Sequence, residues 1–329
     1  MRPVFFVLIL LVGFTATSAA QGGSCTSAVT VAVTDAKGEP IHDLSAQDFT
    51  IRAKGNVTVS SLAYDDGPRR IVLVVDQSKK HSPNTRRAAN ELTREMLAAA
   101  RAQDSFALVV ARGSGKVVRF GEDVKGIAEA VVSEDAGGQS KEIGVLDAVT
   151  QAIELFGAPQ TGDSIVVIAA DLEGNRKANP KSVAKALREH RIRLFGLAMG
   201  PVSQANIAAG SQSTTAWGLA TVTPMTGLIG YSNGDQNFIP LTSESGGAVL
   251  PVINYQAKRT YDMSDPKLQE QVRKSARVVS AMVAAFYRLQ LERPQAAHDG
   301  EEWKLELKET LRKNSPQLLV LYPHQFGPC

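Results

Sequence analysis

Cysteine is almost absent from this sequence: two residues, Cys25 and Cys329, in a chain of 329. That excludes a small disulfide-stapled scaffold and a cysteine-rich zinc module, both of which need several cysteines at short spacing. Histidine is sparse too. The five, His42, His81, His190, His298 and His324, are scattered with no pair at zinc-ligand spacing, and they read as surface residues. There is no Gly-x-Ser-x-Gly elbow, and no motif places a base beside Asp76 or Ser78, so catalysis is not expected. Past the leader, no segment offers about 18 uncharged apolar residues in a row, so no spanning helix is expected. Charge of one sign is lacking as well. The formal net charge is +3, with acids and bases interspersed, whereas nucleic-acid binding needs a basic stripe that neutralises several phosphates.

What is present begins with an address label. Arg2 precedes an apolar run from Val4 to Val12, and Ser18, Ala19 and Ala20 supply small residues before Gln21. This reads as a secretory signal peptide over 1–20, cut after Ala20, and the chain is expected to be exported to the periplasm or beyond. In an oxidising compartment Cys25 and Cys329 pair if the termini meet in space; otherwise they are two unpaired terminal thiols. Lipid modification of Cys25 is disfavoured, because Gly22, Gly23 and Ser24 precede it.

Residues 26–68 alternate like short strands, with Val29, Val31 and Val33 on one face. Phe49 with Ile51, then Val57 with Val59, suggest a hairpin about Lys54 and Gly55. This small β unit has too few apolar residues to stand alone. From 69 to 290 strand-like runs at Ile71–Val75, Phe106–Ala111, Val117–Phe120, Ser164–Ala169 and Ile192–Met199 alternate with helical patterns. Continuous apolar strands with helical crossovers predict an α/β, Rossmann-like domain: a mostly parallel sheet with helices on both faces. The "ARGSGK" turn between two of these strands reads as a hairpin that adds an antiparallel edge. Residues 201–240 follow neither period and read as a long polar insertion carrying Trp217. A helix is expected over roughly 265–287, with Phe286 on its apolar stripe. Strands in 291–329 would then complete the N-terminal β unit and bring Cys25 and Cys329 together.

The order "VTDAKGEPIHDLSAQDFTI", "PRRIVLVVDQS", "SGG" before a strand and a long helix ending in "FYRLQL" resembles the bacterial von Willebrand factor A-related (vWA-like) proteins over nearly the whole mature chain except 201–240. The resemblance implies an adhesion site in which two hydroxyls of Asp-x-Ser-x-Ser and a threonine from a later loop touch Mg²⁺. Two aspartates act largely through water, and the open position takes a partner's carboxylate. Asp76 and Ser78 match the first two positions and Asp171 the second aspartate. Lys80 replaces the second serine, Ile143 stands where threonine belongs, and Ser140 is nearby but out of register. An ammonium about 4 Å from one unit of positive charge costs roughly 4 kcal/mol at an effective dielectric of 20, and twice that beside a dication. Lys80, or Lys79, is therefore expected to neutralise Asp76 and Asp171 in place of the ion, leaving no cofactor, with Mg²⁺ as the alternative. The expected function is an exported binding module that takes a protein or surface ligand. A structural envelope protein and a Rossmann-like hydrolase are the alternatives.

Overall fold

The computed structural model describes residues 24–35, 38–78, 81–112, 115–123, 126–129, 143–170, 172, 177–199, 235–252, 262–294, 299–314 and 318–328. In chain order the strands are β1 (Ser24–Thr34), β2 (Phe49–Arg52), β3 (Thr58–Asp65), β4 (Arg70–Asp76), β5 (Ser105–Ala111), β6 (Val117–Val118), β7 (Ser164–Ala169), β8 (Arg193–Ala198), β9 (Val249–Pro251), β10 (Phe286–Pro294), β11 (Lys304–Leu307) and β12 (Leu319–Leu321). The helices are α1 (Pro83–Ala98), α2 (Val145–Phe156), α3 (Pro180–Glu189), α4 (Asp235–Glu244), α5 (Pro266–Ala284) and α6 (Glu309–Asn314).

The central sheet has six strands in the order β6-β5-β4-β7-β8-β9, parallel throughout except for the antiparallel β5–β6 edge. β4, β5, β7 and β8 are runs of buried, mostly apolar residues because both faces are covered. On one face Ile71, Leu73 and Val75 pack with Leu92 and Met96 of α1 and Val272 and Val279 of α5. On the other, Val72 and Val74 pack with Val149 and Ile153 of α2 and with Leu187 of α3. Chain order reverses direction across the sheet at β4 and β7, the point where an open α/β sheet leaves a crevice beyond its strand ends. α1 and α3 each start on a polar cap followed by proline. Ser82 and Asn179 cap them, accepting from Thr85 N (3.1 Å) and Lys181 N (2.9 Å), each with proline in the first turn.

The terminal strands build a separate antiparallel sheet, β12-β1-β10-β3, beside a two-stranded β11-β2 ribbon. Between them lies an aromatic core. The Trp303 ring stacks on Phe326 at 5.4 Å, and Tyr287 meets Tyr64 edge-on at 5.3 Å. The expected hairpin about Gly55 is not formed. β2 pairs with β11 and β3 with β10, because Phe49 reaches the aromatic core by lying beside Leu305 and Leu307, which pairing with β3 would not provide. Two further expectations are corrected. Residues 235–240, placed in the aperiodic insertion, are the first part of α4, whose Phe238, Ile239 and Leu241 are buried in the core. Phe286 is the first residue of β10 rather than the last of the helix.

That shift has a physical reason at the joint between the two layers. The Phe286 ring lies under two guanidinium groups, Arg69 at 4.2 Å and Arg193 at 4.5 Å from its centroid. Arg193 donates to Met282 O (3.0 Å) and Val283 O (2.9 Å), and Arg69 Nε donates to Ala284 O (3.1 Å). These are the last carbonyls of α5, which have no partner within the helix. Two arginines thus end α5 and fix the Phe286 ring two residues on. Complete burial pushes the Arg193 guanidinium down to about 9. The "SGG" segment also has a packing role. A Cβ on Gly247 would stand 1.9 Å from Leu194 O, so only glycine allows this approach to β8, and Ser245 Oγ accepts from Leu194 N at 3.0 Å.

Candidate functional site

Asp76 is the last residue of β4 and projects at the carboxyl end of the sheet, where the chain leaves for α1. Gln77 N donates to Ala111 O (3.0 Å), extending the β4–β5 pairing by one rung. Ser78 N turns back to Asp76 Oδ1 (3.1 Å), a tight loop in which the aspartate satisfies its own following backbone. Asp76, Gln77 and Ser78 are all buried. The loop then returns His81, whose Nε2 lies 2.8 Å from Asp76 Oδ2, and Arg86 of α1 holds the His81 carbonyl at 2.9 Å. His81 is therefore no surface histidine: its side chain is 15% exposed and paired with the crevice aspartate.

The second partner comes from β5. Asp76 and Ala111 are cross-strand neighbours, so the next residue, Arg112, leaves the sheet directly beside the carboxylate. Its Nε donates to Asp76 Oδ1 (3.0 Å) and its Nη2 to Asp76 Oδ2 (2.5 Å), the two-pronged fork that matches a carboxylate. To aim this way Arg112 adopts φ 51°, a left-handed conformation uncommon outside glycine, asparagine and aspartate. Its N–H is held by Ile143 O at 2.8 Å. The position where the resemblance expects a threonine hydroxyl thus contributes a backbone carbonyl to the orientation of an arginine. Burial alone pushes the Asp76 carboxyl up, but the His81 hydrogen bond and the Arg112 charge outweigh it and hold the carboxyl below the usual carboxylate range.

These residues do not fit the Mg²⁺ that the fold class implies. Both Asp76 oxygens carry Arg112, a fixed guanidinium stands in the space a cation would need, and Ile143 offers no side-chain oxygen. Hard divalent ions take shells of oxygen ligands and repel a charge placed so close. Among the described residues no group of three or more His, Cys, Asp or Glu is placed to share a metal ion. The neutralising role given to Lys80 or Lys79 is taken at Asp76 by Arg112, with His81 hydrogen-bonded to the same carboxylate. Both lysines lie outside the described residues, as do Asp171, Ser140 and Cys329. Cys25 is disulfide-bonded, and Arg293, its cross-strand neighbour, donates to Gly327 O at 2.9 Å near the other end of the chain. Arg112 escaped the reading of the sequence because it sits in "ARGSGK", where the glycines announce a turn. The available signal was its place one residue past a strand that neighbours the Asp76 strand.

The architecture is a mostly parallel six-stranded sheet with helices on both faces and this crevice at its carboxyl end. The sequence matches no known family model and no curated protein. Among solved structures it is similar in shape to proximal thread matrix protein 1 from the mussel byssus, at 13% identity and TM-score 0.42 over 75% of this chain and 50% of that one. It is similar to BatB from Bacteroides thetaiotaomicron, at 16% identity and TM-score 0.34 over 64% and 98%. The SpRpn10 VWA domain is a third, at 11% identity and TM-score 0.38 over 62% and 93%. The chain spans half the length of the mussel protein. At these identities the likeness is one of shape alone.

Proposed function

We propose that this chain is an exported binding module of the vWA class whose crevice takes a protein or surface ligand without a metal ion. One observation carries the reading: a guanidinium locked onto Asp76 at the carboxyl end of the sheet, where an ion-dependent module keeps its cation. The arginine supplies fixed positive charge and needs no dehydration of Mg²⁺ to do so. Among the described residues no helix is long and apolar enough to cross a membrane. The 201–234 segment enters after β8, whose carboxyl end borders the same crevice, and is the natural source of partner contacts.

The test is capture of a partner from the native cell surface by the immobilised mature chain, with EDTA or with Mg²⁺, and by a variant lacking 203–232, a deletion that spares α4. Equal capture in EDTA and Mg²⁺, lost in the deletion variant while its melting is unchanged, supports the reading. EDTA-sensitive capture, or heat on titrating Mg²⁺ into the native protein, overturns it. Capture unaffected by the deletion favours a structural role for the crevice. The Asp76–His81 pair favours a second reading, since an aspartate orienting a histidine is also the frame of a general base in hydrolases. Turnover on an ester and peptide panel that disappears in Ser78→Ala would establish it.

A further inference from the structure

The four-stranded terminal sheet has an edge that is only half covered. β12 pairs with β1 at Ala32, Val33 and Thr34 and no further. Continuing that register would set Pro323 opposite Thr30, and proline has no N–H to donate. Beyond Pro323 the chain turns away to the 300–303 segment: Trp303 N donates to His324 O (3.0 Å) and Phe326 N to Glu301 O (3.0 Å). The edge of β1 is left facing a cleft open to solvent.

Four consecutive residues, Ser27, Ala28, Val29 and Thr30, line that cleft. A strand shows alternate residues on a face but every residue along an edge, so the backbone itself is presented. The direction of its polar groups follows from the neighbours. Val33 O accepts from Ile41 N (2.9 Å) on the side of β1 away from β12, the side that β10 occupies further along. Alternation then turns the groups of Val29 and Val31 toward β10 and those of Ala28 and Thr30 into the cleft. Ser27 adds a hydroxyl that is buried without a hydrogen-bond partner, the residue being 3% exposed.

The remaining walls define the chemistry. Leu187 and Ile192 are apolar, and Arg188, Arg191 and Arg288 face the cleft against the single carboxylate of Glu244. Arg188 also holds Gln325 Oε1 (2.6 Å), Arg288 also reaches Asp65 (2.9 Å), and Arg191 touches Pro328 O (3.4 Å). Three guanidinium groups against one carboxylate suit a strand that ends in the cleft with its own carboxylate. We propose that this cleft binds the free carboxyl end of an extended peptide. Its backbone adds to β1 at Ala28 and Thr30, and its terminal carboxylate meets the arginine cluster.

The test is fluorescence anisotropy of the intact chain with fluorescein-labelled Gly-Ser-Val-Thr-Val carrying a free carboxyl terminus, compared with the same peptide as its amide and with a version N-methylated at the penultimate residue. The free acid should bind at least about tenfold more tightly than either. Arg191→Ala combined with Arg288→Ala should weaken the acid about tenfold or more at unchanged melting while leaving the amide unaffected. Equal binding of acid and amide, or no binding at about 1 mM, overturns the proposal. So does competition by N-acetylvaline as strong as that of the peptide, which would mark a simple carboxylate pocket in which the strand edge plays no part.

Discussion

Arg112→Ala tests whether the crevice is held by a buried ion pair. The Asp76 side chain is 0% exposed and that of Arg112 16%, so the pair is largely withdrawn from water. Removing one member of such a pair costs about 3–5 kcal/mol, because the remaining charge is left uncompensated. Here His81 and the Ser78 N–H stay on the carboxylate, and deleting the side chain opens the crevice to water, so the lower end of that range or somewhat less, about 2–3 kcal/mol, is expected. Alanine also inherits the left-handed backbone at 112 and gains no relief from it. The assay is urea unfolding followed by circular dichroism, on Arg112→Ala, Asp76→Asn and the double variant.

The cycle separates the pair from its surroundings. A coupling of about 2 kcal/mol between the two positions is expected, with the double variant well above the sum of the singles in stability. In thermal melts the single arginine variant should fall by about 4–9 °C, at about 2–3 °C per kcal/mol for a chain of this size. A loss under about 0.5 kcal/mol in Arg112→Ala, together with strict additivity, would falsify the pairing and with it the claim that arginine holds the cation's place.

The Asp76 carboxyl is held below its unfolded value, so its contribution to stability is complete above about pH 4 and fades as pH falls through the lower folded value; the stability gap between native protein and Asp76→Asn should narrow between pH 6 and pH 3 in urea titrations. Phe286→Leu removes the ring shared by Arg69 and Arg193 and should cost about 3 kcal/mol, from a smaller side chain in a packed site and two desolvated cation–π contacts; a loss below about 1 kcal/mol in chemical denaturation would show that the carbonyls of α5 suffice. Gly247→Ala sets a Cβ against Leu194 O, a clash only backbone movement can relieve, and should lower stability by more than about 2 kcal/mol or abolish soluble expression; a melting point equal to that of the native chain would refute the close approach.

The central sheet was legible because its signals are local and redundant. Ile71–Val75, Phe106–Ala111 and Ser164–Ala169 are apolar runs that only a sheet covered on both faces can bury, and Ser82-Pro83 and Asn179-Pro180 mark helix starts on their own. The terminal unit was legible in outline only. Alternation at Phe49 and Ile51 declares a strand but not its partner, and the nearest candidate, Val57 and Val59, was the wrong one. The true partner, Leu305 and Leu307, lies some 250 residues away, and that pairing is decided by the aromatic core which Trp303 and Phe326 complete. The helix at Asp235–Glu244 was hidden by Pro240 and by the polar stretch before it.

The crevice shows where a motif stops being informative. Asp76 is marked by the sequence because an acid at the end of an apolar strand has no place in a core, and that inference depends on nothing beyond burial energetics. Its counter-charge is a different matter. A carboxylate that leaves a sheet needs some cation, and adjacency along the chain points to Lys79 and Lys80, whereas adjacency in the sheet points to Arg112. The parallel register of β4 and β5 sets Ala111 beside Asp76, so the residue after Ala111 has the shortest reach of any on that strand. Ile143 takes part through its backbone alone, its carbonyl holding the N–H of that arginine.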